Sequence, residues 1–425
     1  MSIFKFHKKL RLTLITLVGV LAIFIHWLMA SALPTIESKS AQTFEAVWQT
    51  VNHKFYDPNF NGVNWQAMRS KYAPQVKPNQ STAQLAITIN QMLEELQTSH
   101  THFYTSLEPA YYQILGIFAP KSPQLRQQLS SVLPQGKIEY SGIGIFTKDI
   151  NSKTFISAIL NGSPAEKAGL MVGDRIISVD DNLFEPIQSF QDKAGKTVKL
   201  VIERSPNTQQ TIEILPKMLD ATKMFVDAMK ASVQVIEGDD KKIGYVHIWS
   251  YASDEYQAQL EEELIYGRLK NADALVLDLR EGWGGATPNY LNIYTAQTPT
   301  VTSIGRNGRR YTYQYHWDKP VVMLVNEGSR SGKEILAYGF EKYKIGTVVG
   351  TKTPGAVVAG SAFLMPDGNL LYLAVADVYV DGNHRLEGFG VTPDVVVPFS
   401  VEYARGADPQ KQKAIEVALA AAKAA

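Results

Sequence analysis

The spacing of apolar residues divides this chain into stretches of different character. Lys5, His7, Lys8, Lys9 and Arg11 precede an apolar run from Leu12 to Ala30, broken only by Thr13, Thr16, Gly19 and His26. A basic flank followed by an apolar run predicts a secretory signal or a single membrane anchor over 1–34. Ala30 and Ala32 offer an A-x-A-like cleavage point, yet the run also approaches the ~18 residues that span a bilayer. Cleaved and retained forms both stay open, and either exports the remainder of the chain. Over 35–117 the spacing turns helical: Phe44, Val47, Trp48 and Val51 share a face, as do Leu85, Ile89, Met92, Leu93 and Leu96. Asp57-Pro58 and Asn61-Gly62 mark turns. From 138 to 217 the apolar runs shorten to strand length around one helix-like insert. Beyond 243, buried-strand runs (Ile243–Trp249, Ala274–Leu279, Val321–Val325, Thr347–Val349) alternate with helical ones (253–269, a helix after Gly285, Ser331–Tyr343). That alternation predicts an α/β layout with a largely parallel sheet. Asp408-Pro409 opens an Ala-rich terminal helix, with proline in its first turn. The expected division is 1–34, 35–117, 118–217 and 218–425, with linkers near 118–138 and 217–242.

Composition narrows the chemistry. A length of 425 residues suits two to three domains. Lys+Arg at 42 against Asp+Glu at 41 leaves no basic excess for neutralising phosphates, which argues against nucleic acid as the partner. The chain has no cysteine, so disulfides, thiolate-bound zinc, iron–sulfur clusters and thiol nucleophiles are all excluded. Any nucleophile is an oxygen or an amine. His-x-x-x-His zinc spacing is missing and His100-x-His102 lacks carboxylate companions, so neither a metal nor a cofactor is expected.

Two segments carry motifs. The first runs from Gly142-Ile143-Gly144-Ile145 through Thr154–Ile159 and Ser163-Pro164-Ala165-Glu166-Lys167-Ala168-Gly169-Leu170 to Val172-Gly173-Asp174-Arg175-Ile176-Ile177-Ser178-Val179. This series resembles a PDZ domain. Successive N–H groups in the 142–145 loop would hold a terminal carboxylate while a strand edge pairs the peptide; the plainer reading of Gly142 and Gly144 is a tight turn. The second motif is Asn326-Glu327-Gly328-Ser329-Arg330-Ser331-Gly332-Lys333-Glu334, a turn from a strand into a helix. Ser331 falls at the helix N-terminus, where free N–H groups favour developing negative charge, although a serine there also serves as an ordinary cap. Gly328-x-x-x-Gly332-Lys333 resembles a phosphate loop only superficially, since the spacing is one residue short and Glu334 stands where a magnesium-binding hydroxyl belongs.

With Asp278-Leu279-Arg280-x-x-x-Gly284-Gly285 and Glu387-Gly388-x-Gly390-Val391-x-Pro393-Asp394 added, nearly the whole chain after the N-terminal run resembles the C-terminal processing (tail-specific) serine peptidases. The resemblance implies a crotonase/ClpP-like α/β peptidase core with an inserted PDZ domain and a helical N-terminal region. It maps the nucleophile to Ser331. The lysine base of the common branch falls on Ala356 here; Lys352 is off that register, and Lys333 points about 200° around the helix from Ser331. Thr98-Ser99-His100-Thr101 instead resembles the Ser-His pair of the tricorn-protease branch. That likeness makes His100 the general base, Ser99 its orienting hydroxyl and Glu387 the supporting carboxylate, with His102 the competing imidazole. Histidine suits the task because its pKa lies near neutrality. Backbone N–H groups of Gly284, Gly285 and Gly332 are the oxyanion-hole candidates by the same resemblance. The expected protein is therefore an exported serine endopeptidase of the periplasm or cell envelope, membrane-attached through its N-terminus if that is retained. Its substrate would be a protein or peptide with a free C-terminal tail. The alternative is a non-catalytic adaptor or apolar-ligand carrier of the same fold.

Overall fold

The computed structural model describes residues 38–425 apart from 239, 296–297 and 314, so the expected N-terminal signal or anchor over 1–34 lies outside the described residues. Among the described residues no helix is long and apolar enough to cross a membrane.

Helices α1 (Lys39–Lys54), α2 (Trp65–Tyr72) and α3 (Thr82–Glu94) open the chain. The face with Phe44, Val47, Trp48 and Val51 packs against Leu85, Ile89 and Met92 of α3. Trp48 and Trp65 each donate their indole N–H to the other's carbonyl, at 3.0 and 3.1 Å, so the two large rings are buried without an orphaned donor. This core is not closed by helices alone. Strand β1 (His102–Tyr104) pairs antiparallel with a strand from the far end of the chain, and Leu371 and Leu373 from that distant strand complete the same core.

After β1 come α4 (Pro109–Phe118), α5 (Pro123–Leu129) and β2 (Glu139–Gly142). A β-rich unit follows, with β3 (Ile145–Ile150), β4 (Lys153–Ile159), the short α6 (Pro164–Lys167), β5 (Arg175–Val179), β6 (Asn182–Leu183), β7 (Val198–Ser205) and β8 (Thr208–Ile214). Its sheet order is β3-β4-β5-β7-β8 with β6 on β5, which leaves β3 an edge strand. Strand β9 (Lys217–Asp220) then returns antiparallel to β2, Glu139 opposite Asp220 and Gly142 opposite Lys217.

The last region contains α7 (Met224–Ser232), β10 (Gln234–Gly238), β11 (Lys241–His247), α8 (Asp254–Ile265), β12 (Ala274–Asp278), α9 (Asn292–Thr295), the hairpin β13 (Val301–Ile304) and β14 (Arg310–Tyr313), and β15 (Val321–Val325). It closes with α10 (Gly332–Tyr343), β16 (Thr347–Gly350), β17 (Ala359–Leu364), β18 (Leu370–Ala376), β19 (Tyr379–Val380), β20 (His384–Arg385), β21 (Val395–Val396) and α11 (Pro409–Ala424). The central sheet runs β10-β11-β12-β15-β16-β21, parallel except for the β10–β11 pair. Both faces are covered, which is why its strands read as unbroken apolar runs. Leu275 and Leu277 of β12 face the core shared with α7, α8 and α10, whereas Ala274 and Val276 face Ala414, Ala418 and Ala422 of α11. Small residues at a four-residue spacing let α11 lie close on the sheet. Strand β18 pairs β1 on one side and β17 on the other.

Two expectations change. The helix after Gly285 is only a 3-10 turn, Pro288–Leu291, followed by α9. The stretches expected as linkers are largely ordered, because Leu125, Leu129, Phe225 and Met229 within them are buried in the main core.

Candidate active site

Strand β15 ends at Val325, and the turn into α10 is closed by its own polar groups. Ser329 Oγ donates to Leu279 O at 2.9 Å and accepts from Asn326 N–H at 3.0 Å, while Asn326 Oδ1 accepts from Gly328 N–H at 2.8 Å. Ser329 is thus a buried turn-closer. Ser331, two residues on, has φ 59° and ψ −128°. An ordinary serine cap is extended, as Ser81 is at φ −67° and ψ 157°. Positive φ in a non-glycine residue costs on the order of 1–3 kcal/mol and persists only where neighbours impose it. Here Ala356 O accepts the Ser331 N–H at 2.8 Å, and Glu334 Oε1 lies 3.2 Å from the same nitrogen. The buried Glu334 carboxylate also accepts from Ala356 N–H and Gly355 N–H, each at 2.7 Å, and from Thr353 Oγ1 at 2.6 Å. Burial nevertheless pushes its pKa up.

The glycines pack tightly on this elbow. A Cβ on Gly284 would sit 2.5 Å from Ser331 Cβ, one on Gly332 would meet Ala286 N at 2.4 Å, and Gly285 has φ 102°. Any side chain at 284 or 332 would therefore push the Gly284–Ala286 backbone away from Ser331.

His100 sits in the turn between α3 and β1, half-buried and at φ 54°. Glu387 accepts from Ser99 N–H and from Ser99 Oγ, both at 2.9 Å, and from Val357 N–H at 2.6 Å. Ser99 has one hydroxyl proton and directs it to Glu387, so its 2.9 Å contact with His100 Nδ1 needs the proton on nitrogen. This selects the Nδ1–H tautomer and leaves the Nε2 lone pair free to accept. Burial, and secondly the Arg330 guanidinium, lower the His100 pKa to about 4. The ring is neutral at neutral pH.

His100, Ser331, Gly284 and Gly285 line one cavity of about 250 Å³, walled by Ile114, Ile117 and Phe118 of α4 and by Tyr372 of β18. The competing groups lie elsewhere. His102 is on β1, its Nε2 3.3 Å from Asn90 Nδ2. Lys352 is exposed, and Ala356 contributes only its backbone. Lys333 is fully buried, with Nζ 2.6 Å from Glu281 O. Of the 142–145 loop, Gly142 ends β2, Ile143 is buried, Gly144 has φ 79° and Ile145 begins β3. The four residues border a second cavity, of about 280 Å³, whose far wall includes Trp283 and Arg330. Sequence reasoning alone does not reach Glu334, Trp283, Tyr372 or Arg330. Only Glu334 carries a readable signal, the Ser-x-x-Glu spacing of a capping box. Among the described residues no group of three or more His, Asp or Glu side chains is placed to hold a metal ion.

Comparison with known proteins gives three matching regions: residues 242–397 match peptidase family S41, residues 37–94 the tricorn protease C1 domain and residues 155–204 the PDZ domain. The chain is 27% identical over 395 residues to a carboxyl-terminal-processing protease of Synechocystis sp., covering 87% of this chain and 84% of that one. It is 26% identical over 379 residues to carboxyl-terminal-processing peptidase 2, chloroplastic, of Arabidopsis thaliana, covering 84% and 68%. Tricorn protease homolog 1 of Streptomyces coelicolor is 26% identical over 89% of this chain but only 35% of its own length. Among solved structures, a photosystem II D1 C-terminal processing protease aligns with TM-score 0.50 at 20% identity, over 88% of this chain and 99% of that one. The tricorn protease aligns with TM-score 0.52 at 18% identity, over 91% and 37%. Both structures share the fold of this chain over the aligned lengths.

Proposed function

We propose, from the premise that this chain is a serine protease of peptidase family S41 with a PDZ domain, that it is exported and cleaves proteins near C-terminal or unfolded tails through an acyl-enzyme on Ser331. The observation that carries this is the His100–Ser99–Glu387 chain, with a neutral His100 sharing a cavity with the strained Ser331. In this reading His100 Nε2 takes the Ser331 hydroxyl proton as Oγ bonds to the peptide carbonyl carbon. The charge moving onto the carbonyl oxygen meets N–H groups from Gly284, Gly285 and Gly332, held near by their lack of a side chain. The imidazolium gives its proton to the departing amine, and the C–N bond breaks. Water, deprotonated by His100, then attacks the Ser331 ester, releasing a carboxylate and returning the proton to Oγ. Throughout, Nδ1–H donates to Ser99 Oγ, whose own hydroxyl donates to Glu387, so the positive ring is held toward that carboxylate through one hydroxyl. The 142–145 loop would receive the tail, with β3 as the edge it pairs against. A purely binding role would leave the Ser331 strain and this hydrogen-bond chain without a task.

A fluorophosphonate should label the purified chain at Ser331, found by peptide mass spectrometry, and casein should be cleaved. Ser331→Ala should abolish both, whereas equal labelling of that variant would sink the assignment. His100→Ala should lower kcat by about 10³ or more, in line with loss of a general base; full activity there, with loss in Lys352→Ala, would restore a lysine base.

A further inference from the structure

Arg330, between the two serines of the elbow, has no task in the mechanism above. Its half-buried side chain borders the cavity of Ser331 and His100, the cavity under the 142–145 loop, and a third of about 400 Å³ between the PDZ strands and the central sheet. The guanidinium carbon stands 5.1 Å from the centre of the Trp283 ring. Other sheltered arginines are paired with acids: Arg280 with Asp278 and Asp408, Arg204 with Asp174, Arg385 with Asp377. Among the described residues no carboxylate lies within ion-pair distance of Arg330. Of the acids in its neighbourhood, Glu281 feels the Arg330 charge without reaching ion-pair distance, and Glu327 is paired with Lys148. Glu281 Oε1 accepts from Asn326 Nδ2 at 3.1 Å, and Glu327 from Lys148 Nζ at 3.3 Å and Thr351 Oγ1 at 3.2 Å. A half-buried guanidinium laid on an indole presents a planar fork of N–H donors, whose geometric complement is a carboxylate.

We propose that Arg330 is a subsite for a substrate carboxylate, on the side of the scissile bond that leads from Ser331 to the 142–145 loop. The proposal rests on Ser331 as nucleophile. An arginine side chain reaches about as far as two residues of extended chain at about 3.3 Å each, which sets the carboxylate roughly two residues beyond the cleaved bond. The carboxylate has two sources, the α-carboxylate of a short tail or an acidic side chain in a longer one. Arg330 would thus decide which bonds are cut, while the His100–Ser99–Glu387 chain decides how.

The test starts from a bond that the wild-type chain cleaves in casein. Fluorogenic peptides of that sequence are made ending two residues later as the free acid or the amide, and in longer form with Asp or Ala at that position. The wild type should favour the acid over the amide if the source is terminal, or Asp over Ala if it is a side chain, by at least tenfold in KM. Arg330→Met should bring that ratio close to one, and Arg330→Lys should keep part of it. Where the source is terminal, the product dipeptide should also inhibit the wild type as the acid and not as the amide, a measurement that needs no variant to fold. A wild type without preference in either pair, or an Arg330→Met variant with the preference intact, overturns the subsite. A wild type that no fluorophosphonate labels at Ser331 overturns the nucleophile, and this subsite with it.

Discussion

His100 takes its acidity from its surroundings. Its pKa of about 4 comes first from burial and then from the Arg330 charge. A general base works only when unprotonated, so kcat/KM should rise through an acid limb near pH 4 where free imidazole would place it near 6.5. Arg330→Met removes the second cause, and its limb should move upward; a limb at 6.5 in the wild type would contradict the assignment. Sequence carries this site unevenly. Ser331, His100 and Glu387 are legible because each sits in a short motif, although Glu387 lies 288 residues from its partner Ser99. Arg330 is not, because an arginine between two serines looks like any surface cation until the three cavities around it and its lack of an acid are seen.

At the scale of elements, the elbow before α10 depends on Glu334, which gathers N–H or O–H groups from Ser331, Gly355, Ala356 and Thr353. Glu334→Ala should cost about 3 kcal/mol, since buried donors left without an acceptor lose about 1–3 kcal/mol each. It should also lower kcat at least tenfold with little change in KM, as Ser331 relaxes from positive φ. Urea unfolding and steady-state turnover check the two effects separately. Lys333, on the first turn of α10, ties the helix to the neighbouring loop through Glu281 O. Burial brings its pKa down from 10.5 to about 7. The unfolded chain therefore binds more protons between pH 7 and 10.5, so this group's contribution to stability rises with pH across that window and its penalty is complete below it. The urea midpoint of the wild type should climb between pH 7 and 9 relative to Lys333→Met; parallel midpoints would contradict a depressed lysine. The periodicity of α1, α3 and the central strands makes those elements readable. The brevity of the helix after Gly285 is not readable, because Pro288 and the packing of Leu291 against Gly339 decide it through contacts remote in sequence.

For the whole molecule, the alternation of strands and helices implies the parallel sheet, but not that the N-terminal helices depend on β18 for their core. That closure joins residues more than 250 positions apart, and no local pattern encodes it. It also implies that 38–117 will not fold alone: the isolated segment should lack a cooperative thermal transition by circular dichroism.

Strands β2 and β9 form a narrow ribbon whose last pair is Gly142 and Lys217. The chain between them leaves and re-enters the α/β core at one point, although Phe146 also stacks on Trp249 and Phe155 meets Tyr403 edge-on. Replacing 143–216 by Asn-Gly, a dipeptide suited to a two-residue hairpin turn, should give a chain still labelled at Ser331 that no longer captures long tails at the 142–145 loop, while any selectivity set by Arg330 stays. The same geometry bears on descent. A unit grafted at the tip of a hairpin is gained, lost or exchanged without shifting the register of any other strand, so what is carried on the inserted unit and what is built into the α/β core are open to selection as separate inheritances.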